Sequence, residues 1–189
     1  KIKKLNYTIY DDLEKFFSIA SDSIIKDRVI CWFQGRSEFG PRALGNRSFI
    51  ADPRDKSIVE TMNIKIKKRE EFRPFAPSVK IDNFKEYFDN HNVNEYMTLI
   101  SKVKKNKIQT IPAVVHVDNT SRPQIVDKDK NPTFWHLIDN FHKKTGIPMV
   151  LNTSYNIQEP IVNSPEEAIN TFLNSNVDKL FINNIVVSK

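Results

Sequence analysis

Three of the chain's four glycines and three arginines lie within fifteen residues, 34–48, which we call the arginine loop. Glycine adopts backbone conformations that a β-carbon forbids, and each guanidinium presents a planar fork of donors suited to phosphate or carboxylate oxygens. The loop carries Arg36, Arg42 and Arg47. This composition favours a loop that wraps an anion, although a solvated loop whose arginines pair with nearby acids has the same composition.

Further cations and polar side chains lie near the ends of predicted strands and helices, in residues 65–73, 116–124 and 152–156. The basic residues that dominate the charge of these clusters and of the loop are Arg36, Arg42, Arg47, Lys67, Arg69, Arg73 and Arg122. A site built in this way binds a strongly anionic ligand. It suits a reaction at phosphorus or at an activated carbonyl, where positioning and charge neutralisation do most of the catalysis.

Familiar nucleotide and metal motifs are missing from the sequence. It contains no Gly-x-x-x-x-Gly-Lys-Ser/Thr of a P-loop, no Gly-x-Gly-x-x-Gly fingerprint and no His-Glu-x-x-His metal site. Phosphates would therefore be held by side chains rather than by a glycine cradle, and we assign no metal ligands. The single cysteine, Cys31, excludes a disulfide framework and a cysteine-rich zinc site, and its apolar neighbours indicate a small packed hydrophobe.

The arginine loop follows Val29–Phe33, an apolar run with the length and β-rich composition of a buried strand. Ligand-binding loops of α/β folds lie beyond the carboxyl ends of such strands. The cluster at 116–124 ends another predicted strand, on which alternation places His116 and Asp118 on one face; a histidine there is as often structural as catalytic. The cluster at 152–156 is rich in hydroxyl and amide groups, which fits a simple turn as well as a nucleotide contact.

The remaining periodicity predicts strands alternating with helices, which is typical of an α/β domain on a mixed sheet. We expect helices at residues 11–27, 56–67, 82–88 and 132–145, and a last helix that opens with a capping box at 164–167. We expect strands at residues 48–51, 72–79, 97–103, 108–117 and 147–151, and two short strands within 178–188.

Three of these elements carry a more specific expectation. The strand at 72–79 should be an edge or bulged strand, because it contains two prolines. The strands at 97–103 and 108–117 should form a hairpin around residues 104–107. Residues 90–94 should form a loop with a solvated His91.

The length of 189 residues suits one domain spanning residues 1–189. The net charge of +6 fits a nucleic acid, an anionic surface or a multiply charged small substrate, and the sign alone does not choose among them. No apolar run approaches the length needed to span a bilayer, and one cysteine fits a reducing compartment, so we expect a cytoplasmic protein without a membrane segment. Since the chain starts at Lys1, we expect a fragment of a longer protein.

Four blocks of the sequence carry a family resemblance. They are the arginine loop, Arg-Glu-Glu-Phe-Arg-Pro-Phe-Ala-Pro at 69–77, residues 116–124, and Leu-Asn-Thr-Ser-Tyr-Asn at 151–156. Together they resemble the C-terminal, YrdC-like domain of the carbamoyltransferases that include nodulation and aminoglycoside-antibiotic O-carbamoyltransferases. The match runs from about Val29 to Phe181 in the family's order. Departures from the family's pattern lie at Asn119, Ser121, Pro123 and Gln158.

The resemblance implies an open, twisted, mixed α/β sheet with flanking helices, whose concave basic face binds ATP and carbamoyl phosphate. In this family the domain forms carbamoyl-adenylate and releases pyrophosphate, and Mg²⁺ would offset the charge on that leaving group. A separate N-terminal, metal-binding domain of the same polypeptide then passes the carbamoyl group to a hydroxyl acceptor. That domain has no counterpart in this sequence, so the resemblance implies the activating half of an O-carbamoyltransferase.

The wider YrdC-like group carries Lys-x-Arg and Ser-x-Asn elements at its nucleotide site, which look like Lys67, Arg69, Ser154 and Asn156 in this sequence. The residues that we expect to act in catalysis are Arg42, Lys67, Arg69 and His116. The residues that we expect to bind substrate or ATP are Arg36, Arg47, Arg73, Arg122, Asn152, Ser154 and Asn156. Carbamoyl phosphate or its product would lie against Arg42 and Arg47. Its neutral amide needs directional donors and acceptors, for which Asn46, Asn152 and the loop backbone are candidates.

Two other functions remain open on the sequence alone. A basic RNA- or nucleic-acid-binding module fits the net charge, and a non-catalytic interaction domain fits the fold. Proteins that bind single strands usually pair basic residues with exposed aromatics, whereas most aromatics here, such as Phe16, Phe17, Phe134 and Phe141, take core-facing helical positions. The presence of every charged motif position disfavours a domain without turnover.

Overall fold

The computed structural model describes residues 5–89 and 94–189. Its strands are Asn6–Ile9 (β1), Val29–Phe33 (β2), Arg47–Ala51 (β3), Ala76–Lys80 (β4), Ser101–Lys102 (β5), Thr120–Ser121 (β6), Gln124–Val126 (β7), Met149–Ser154 (β8), Lys179–Ile182 (β9) and Ile185–Ser188 (β10). Its α-helices are Leu13–Asp27 (α1), Ile58–Glu60 (α2), Phe84–Tyr87 (α3), Pro132–Thr145 (α4) and Pro165–Asn174 (α5). Across the described ranges, no helix has the length and apolarity needed to cross a bilayer.

One mixed sheet contains the strands β1-β10-β9-β2-β3-β8-β4-β7, in that order. The β2–β9 and β4–β7 pairs are parallel, and the other neighbouring pairs are antiparallel. The central pair, β2–β3, runs in register from Val29 opposite Ala51 to Phe33 opposite Arg47, and it brackets the arginine loop. Strands β5 and β6 form a separate ladder. The expected α/β class with an open mixed sheet is confirmed.

The helices expected at 11–27 and 132–145 are present as α1 and α4, which pack against each other and against the central strands. Asp12 caps α1 by accepting a hydrogen bond from the backbone N–H of Lys15, and Gly146 ends α4 with a left-handed φ of 75°. The expected capping box is present at the start of α5. Leu13 is a correction, because it was expected on the core face of α1 and is exposed.

Residues 56–67 do not form one regular α-helix. They form the three-residue α2 and then a π-helical turn, Thr61–Ile66, after which Lys68 has a φ of 49°. The apolar side chains expected to face the core, Ile58, Met62 and Ile66, are all buried. The apolar stripe therefore predicts the buried face but not the number of residues per turn. A π-helical turn inserts an extra residue and is frequent at functional sites.

The predicted hairpin at residues 97–117 is wrong. The strand in that stretch is β5, and it pairs with β6 instead. Pro112–Val114 is a 3₁₀ turn, which suits a proline that cannot donate to a strand ladder. The segment is apolar because Ile111, Ala113 and Val114 are buried in the hydrophobic core, and burial alone produces the same composition as a strand.

The strand predicted at 72–79 begins only at Ala76 and lies inside the sheet, between β8 and β7, so the expected edge position is wrong. Strand β8 continues to Ser154, so part of the segment expected to be a loop is extended. Strand β1 matches none of the expected strands; its four residues are all exposed and show no buried periodicity. Residues 90–93, with His91, lie outside the described residues.

Candidate functional site

Two adjoining clefts collect most of the predicted site residues. The larger, the Lys67 cleft, has a volume of about 630 Å³. Predicted site residues that line it are Lys67, Arg69, Arg73, Ser154 and Asn156. The smaller, the Arg122 cleft, has a volume of about 100 Å³. Predicted site residues that line it are Arg42, Arg69, Arg122, Asn152 and Ser154. Because Arg69 and Ser154 line both clefts, the two form one continuous surface.

Three predicted site residues lie elsewhere. His116 lines a groove of about 1010 Å³, which shares Arg73 with the Lys67 cleft and Phe75 with the Arg122 cleft. Arg36 is exposed, Arg47 is buried, and neither lines a cleft. The structure thus brings together all of the predicted site residues except these three.

Lys67 organises the turn that follows β8 from inside the protein. Its Nζ donates to the backbone oxygens of Ser154 and Asn156, both at 2.7 Å, and also contacts Ser154 Oγ at 3.1 Å and Asn156 Oδ1 at 2.7 Å. Burial, with the charge of Arg69 adding to it, lowers the pKa of Lys67 to about 7. The residue is only 3% exposed. Its ammonium therefore holds the Ser-x-Asn element in place.

The Ser-x-Asn element is largely occupied by its own hydrogen bonds. Ser154 Oγ donates to Asn156 Oδ1 at 2.7 Å, and Asn156 Nδ2 donates to the backbone oxygen of Glu159 at 2.6 Å. One N–H of the Asn156 amide remains to donate to a ligand, since the amide carries two. The element is thus a rigid wall of the Lys67 cleft with few free donors.

Arg69 lies where the two clefts meet. Its Nε donates to Asn63 Oδ1 at 2.8 Å, and its guanidinium carbon lies 5.0 Å from the ring centre of Phe75. Burial lowers the pKa of Arg69, and the neighbouring charge of Arg73 lowers it further. Within residues 5–89 and 94–189, no carboxylate lies within ion-pair distance of it; Glu70 pairs with Arg73 at 2.7 Å. Its terminal N–H groups are therefore available to an anion.

Arg42 and Arg122 place two positive charges in the Arg122 cleft. Burial lowers the pKa of Arg122, and the charge of Arg42 lowers it further, so the two guanidinium groups repel each other. Neither forms an ion pair with the described carboxylates. The Nε of Arg122 is buried, and no group of the residues that the structure describes forms a hydrogen bond with it. Arg42 is exposed and Arg122 is half-buried, and two like charges held close together without a carboxylate partner are suited to binding an anion.

A buried amide network fixes the base of the arginine loop to the sheet. Asn152 Nδ2 donates to Ser78 Oγ at 2.9 Å and to the backbone oxygen of Ala43 at 3.2 Å. Gln124 Nε2 donates to the backbone oxygen of Leu44 at 2.7 Å. Ser78 Oγ donates to Gln124 Oε1 at 2.6 Å and closes the network. Three neighbouring strands, β8, β4 and β7, thus position the loop beside the Arg122 cleft.

Gly45 lets the same loop touch the core. Its φ is 105°, and a β-carbon there would lie 2.1 Å from Cδ1 of Phe134 on α4. Its backbone oxygen accepts a hydrogen bond from Trp32 Nε1 on β2 at 2.9 Å. Glycine is therefore required at this position for two reasons: its positive φ and its close packing against Phe134.

Arg47 points into the arginine loop and away from the clefts. Its guanidinium donates to the backbone oxygens of Gln34 at 2.7 Å and Gly35 at 3.1 Å, and it lies 3.6 Å from the ring centre of Phe33. Burial lowers its pKa, and the charge of Glu38 partly offsets that effect. The sequence predicts a ligand-binding residue here, whereas the structure places Arg47 as an internal brace of the loop.

His116 is held in a turn instead of at the end of a strand. Its Nδ1 lies 3.2 Å from Thr120 Oγ1, which donates to Asp118 Oδ1 at 2.6 Å. Asp118 therefore contacts the imidazole only through Thr120. His116 and Asp118 do not lie in a strand, so the prediction that they share one face of a strand is wrong. Burial lowers the pKa of His116, so the imidazole is neutral near pH 7.

A family model described as "Carbamoyltransferase C-terminus" matches residues 21–189. The chain belongs to the carbamoyltransferase C-terminal family. The matched range contains the arginine loop and both clefts, and it confirms the resemblance carried by the four sequence blocks.

Carbamoyltransferase relatives of known name are much longer than this chain. Nodulation protein NolNO of Sinorhizobium fredii is 44% identical over 176 residues, which cover 91% of this chain and 26% of that protein. The 3'-hydroxymethylcephem-O-carbamoyltransferase of Amycolatopsis lactamdurans is 35% identical over 136 residues, which cover 72% of this chain and 26% of that enzyme. The chain thus spans about a quarter of the length of these two relatives.

Solved structures share the fold of this carbamoyltransferase chain. Full-length HypF in its phosphate- and nucleotide-bound form matches with a TM-score of 0.66 at 17% identity, covering 89% of this chain and 25% of that one. Escherichia coli YciO matches with a TM-score of 0.61 at 19% identity, covering 92% of this chain and 80% of that one. The expected YrdC-like fold is confirmed.

Sequence reasoning missed three polar side chains that shape the candidate site, namely Glu38, Asn63 and Gln124. Glu38 has a sequence signal, because it is the one acid within the arginine loop. Asn63 is a polar residue beside the buried stripe of a predicted helix, four positions before Lys67. Gln124 ends the polar cluster at 116–124, but its partner on β8 is close only in the folded sheet, so the sequence does not show what its side chain binds.

We expect Glu38→Ala to loosen the arginine loop. Glu38 Oε1 accepts hydrogen bonds from the backbone N–H groups of Leu44 at 2.6 Å, Asn46 at 2.8 Å and Arg47 at 3.3 Å. Removing the acceptor should cost about 1–3 kcal/mol in the free energy of unfolding. Urea unfolding and amide hydrogen exchange at these three positions measure the effect. Glu166→Ala, which removes an exposed carboxylate from α5, is the control, and unchanged exchange would contradict the prediction.

Proposed function

We propose that this chain binds ATP and carbamoyl phosphate and forms carbamoyl-adenylate with release of pyrophosphate, as the activating half of an O-carbamoyltransferase. The observation that carries the proposal is the group of Arg42, Arg69 and Arg122 that lines the Arg122 cleft, with no described carboxylate paired to it. Guanidinium groups of this kind neutralise phosphate oxygens and the charge that develops during phosphoryl and adenylyl transfer. Membership of the carbamoyltransferase family supports a transferase.

The two clefts differ in size as the two substrates do. A volume of about 630 Å³ is typical of a pocket for a nucleotide-sized ligand, so we place the triphosphate of ATP in the Lys67 cleft. A volume of about 100 Å³ suits a far smaller group, so we place the carbamoyl group and its phosphate in the Arg122 cleft. Arg69, which lines both, would then stand beside the α-phosphate where the two substrates react.

The proposed reaction has two balanced steps. Carbamoyl phosphate and water give carbamate and phosphate. A carbamate oxygen then attacks the α-phosphorus of ATP, and the bond from that phosphorus to the oxygen of the leaving pyrophosphate breaks. Arg69 and Arg122 would stabilise the charge on the phosphates, while Arg42 would hold the small anion.

We propose Mg²⁺ as the counter-ion of the nucleotide. Magnesium usually enters such sites on substrate phosphates and keeps several waters, with one or two protein ligands at most. Across the described ranges, no group of three or more His, Cys, Asp or Glu side chains is placed to hold a metal. We therefore assign no protein ligand to Mg²⁺, which would offset charge on the leaving pyrophosphate.

The names of similar proteins support the same chemistry. The Amycolatopsis relative is named as an O-carbamoyltransferase, and the HypF structure holds phosphate and nucleotide. We further propose a cytoplasmic setting and a partner, namely an N-terminal, metal-binding domain of the same polypeptide that transfers the carbamoyl group to a hydroxyl acceptor. The quarter of these relatives' length that this chain spans leaves room for such a domain in them.

Pyrophosphate release tests the proposal. The chain is supplied with ATP, Mg²⁺ and carbamoyl phosphate, and each component is omitted in turn. We expect release that depends on both substrates. Release from ATP alone, or the absence of ATP binding by calorimetry, would contradict the proposal. ATP binding without release would restrict this chain to substrate binding and assign turnover to the longer polypeptide.

Two exposed phenylalanines favour one alternative, the binding of single-stranded nucleic acid. Phe39 lies in the arginine loop and Phe72 lies beside Arg73, and both side chains are largely exposed. Exposed aromatics beside cations are the usual surface on which bases stack. Oligonucleotide binding that is tight and steeply salt-dependent, without ATP binding, would favour this alternative over carbamoyl-adenylate formation.

A further inference from the structure

Asn63 is fully buried and makes four hydrogen bonds to residues 69–73 beside the Lys67 cleft, three through its side-chain amide and one through its backbone oxygen. Its Nδ2 donates to the backbone oxygens of Glu71 and Arg73, both at 2.9 Å. Its Oδ1 accepts from Arg69 Nε at 2.8 Å, and its backbone oxygen accepts from the backbone N–H of Arg69 at 2.9 Å. Both donors of the side chain and its acceptor are thus used, with 0% of the residue exposed.

These bonds hold two of the four cationic residues that line the cleft, namely the side chain of Arg69 and the backbone of Arg73. Arg69 is fixed twice, once through its backbone and once through Nε, while Arg73 is fixed through its carbonyl. The bond to Nε leaves four of the five guanidinium N–H groups of Arg69 free to donate. The ring of Phe75 lies 5.0 Å from the guanidinium carbon and limits its rotation. Asn63 and Phe75 therefore set the direction of the donors.

The π-helical turn Thr61–Ile66 explains why an amide stands at this position. The neighbours Met62 and Ile66 face the hydrophobic core, while Asn63 is directed at the following loop. A carboxylate cannot donate to two carbonyl oxygens, and an aliphatic side chain would leave those carbonyls and a guanidinium N–H unpaired. An asparagine donates to both carbonyl oxygens and also accepts from the guanidinium N–H. Such turns are frequent at functional sites.

We propose that Asn63 is the positioning residue of the Lys67 cleft: it sets the aim of the Arg69 guanidinium and the course of the backbone at Arg73, and so sets how tightly the cleft holds a chain of phosphates. The inference deepens the proposed function and rests on the same cleft. It assigns Asn63 no contact with the ligand, because every polar group of its side chain is already paired.

The test measures binding of inorganic triphosphate by calorimetry to four proteins: the unaltered chain, Asn63→Ala, Arg69→Ala and the double variant. We expect Asn63→Ala to weaken binding about tenfold, which corresponds to ~1.4 kcal/mol. In the Arg69→Ala background the same substitution should weaken binding less than about twofold, because the group that Asn63 aims is already gone. A purely structural role would give equal effects in both backgrounds and would overturn the proposal.

A second variant and a second readout guard against a failure to fold. Asn63→Asp keeps an acceptor for Arg69 Nε but loses both donors to the loop, so the Nε–H of Arg69 should stay protected from hydrogen exchange in NMR spectra while triphosphate binding weakens. Asn140→Ala removes a buried amide that donates to the backbone oxygen of His136 on α4, and it should leave binding unchanged. Native-like binding by both Asn63 variants would overturn the proposal.

The result also separates this inference from the proposed function. Triphosphate binding that depends on Asn63, without pyrophosphate release from ATP, would contradict carbamoyl-adenylate formation and leave the role of Asn63 intact. If the unaltered chain binds no triphosphate, the cleft is not a phosphate site and the role of Asn63 is overturned with it.

Discussion

Arg69→Ala should lower pyrophosphate release by about a hundredfold to a thousandfold, the effect usually seen when a preorganised donor is removed from developing charge. Its position is the reason, because Arg69 lines both clefts and would contact both substrates. Its Nε is held by Asn63, and no described carboxylate neutralises it, so its terminal donors need no rearrangement to meet an anion. We expect most of the loss in kcat and the rest in KM.

Stability should change little in the same variant. The side chain is half-buried at the mouth of a cleft, and water can replace it on Asn63, so we expect the free energy of unfolding to change by about 1 kcal/mol or less. Lys143→Ala is the matched control, since it removes one positive charge from the last turn of α4, near the opposite end of β8 from Ser154. Arg69→Lys should restore part of the activity, because it returns the charge but not the planar fork.

Two outcomes would contradict this prediction. A loss of cooperative unfolding in Arg69→Ala would show a structural arginine, and near-normal release with normal unfolding would show that the reaction takes place away from the shared wall of the clefts. Lys143→Ala removes the same positive charge away from the clefts, so it measures the general effect of net charge and separates that effect from both outcomes.

The elements predicted correctly carry their signal locally. The run Val29–Phe33 is apolar throughout and becomes β2, and the helical spacing of residues 132–145, with Gly146 after it, becomes α4. The pattern fails where pairing partners are distant. Within residues 97–117, Val103, Ile111 and Val114 are apolar because they are buried, yet β5 finds its partner in β6, and no local feature distinguishes that case from a hairpin.

The sequence likewise predicts some features of the candidate site and not others. Residue types and spacing predict that Arg69, Arg122 and Ser154 belong to one cationic site, and the structure brings them into adjoining clefts. Side-chain direction is set by tertiary contacts that a sequence does not show. Arg47 turns inward onto loop carbonyls, and Lys67 turns onto the Ser-x-Asn element, although both have the composition of ligand-binding residues.

Lys67→Met should weaken triphosphate binding about tenfold to a hundredfold at about pH 6, and the loss should shrink as the pH rises above about 7. The ammonium of Lys67 adds one positive charge behind the wall of the cleft, and a unit charge at close range is worth a few kcal/mol at a partly screened site. Burial lowers its pKa from the ordinary value of 10.5 to about 7, so the charge is lost as the pH rises through neutrality. Bound phosphate should shift that loss to higher pH by favouring the ammonium.

The ratio of the affinities of the unaltered chain and the variant is the informative quantity. Triphosphate itself gains charge over this range, but that change is common to both proteins and cancels in the ratio. His116, whose pKa burial also lowers, is present in both and cancels as well. Calorimetry in two buffers of different ionisation enthalpy should show proton uptake on binding near pH 8 in the unaltered chain and less uptake in Lys67→Met.

Unfolding provides an independent check with a defined sign. Below about pH 7 Lys67 is protonated in both states, whereas between about 7 and 10.5 only the unfolded chain keeps the proton, so this residue makes stability rise with pH in that window. Cys31 acts oppositely above 9.0, because burial raises the pKa of its thiol from 9.0 to about 12. The free energy of unfolding from urea titrations should therefore rise between about pH 7 and 9 in the unaltered chain relative to Lys67→Met. Parallel curves for the two proteins, together with a constant affinity ratio, would show that Lys67 stays charged throughout, and a ratio near one would show that it serves only to hold the Ser-x-Asn element.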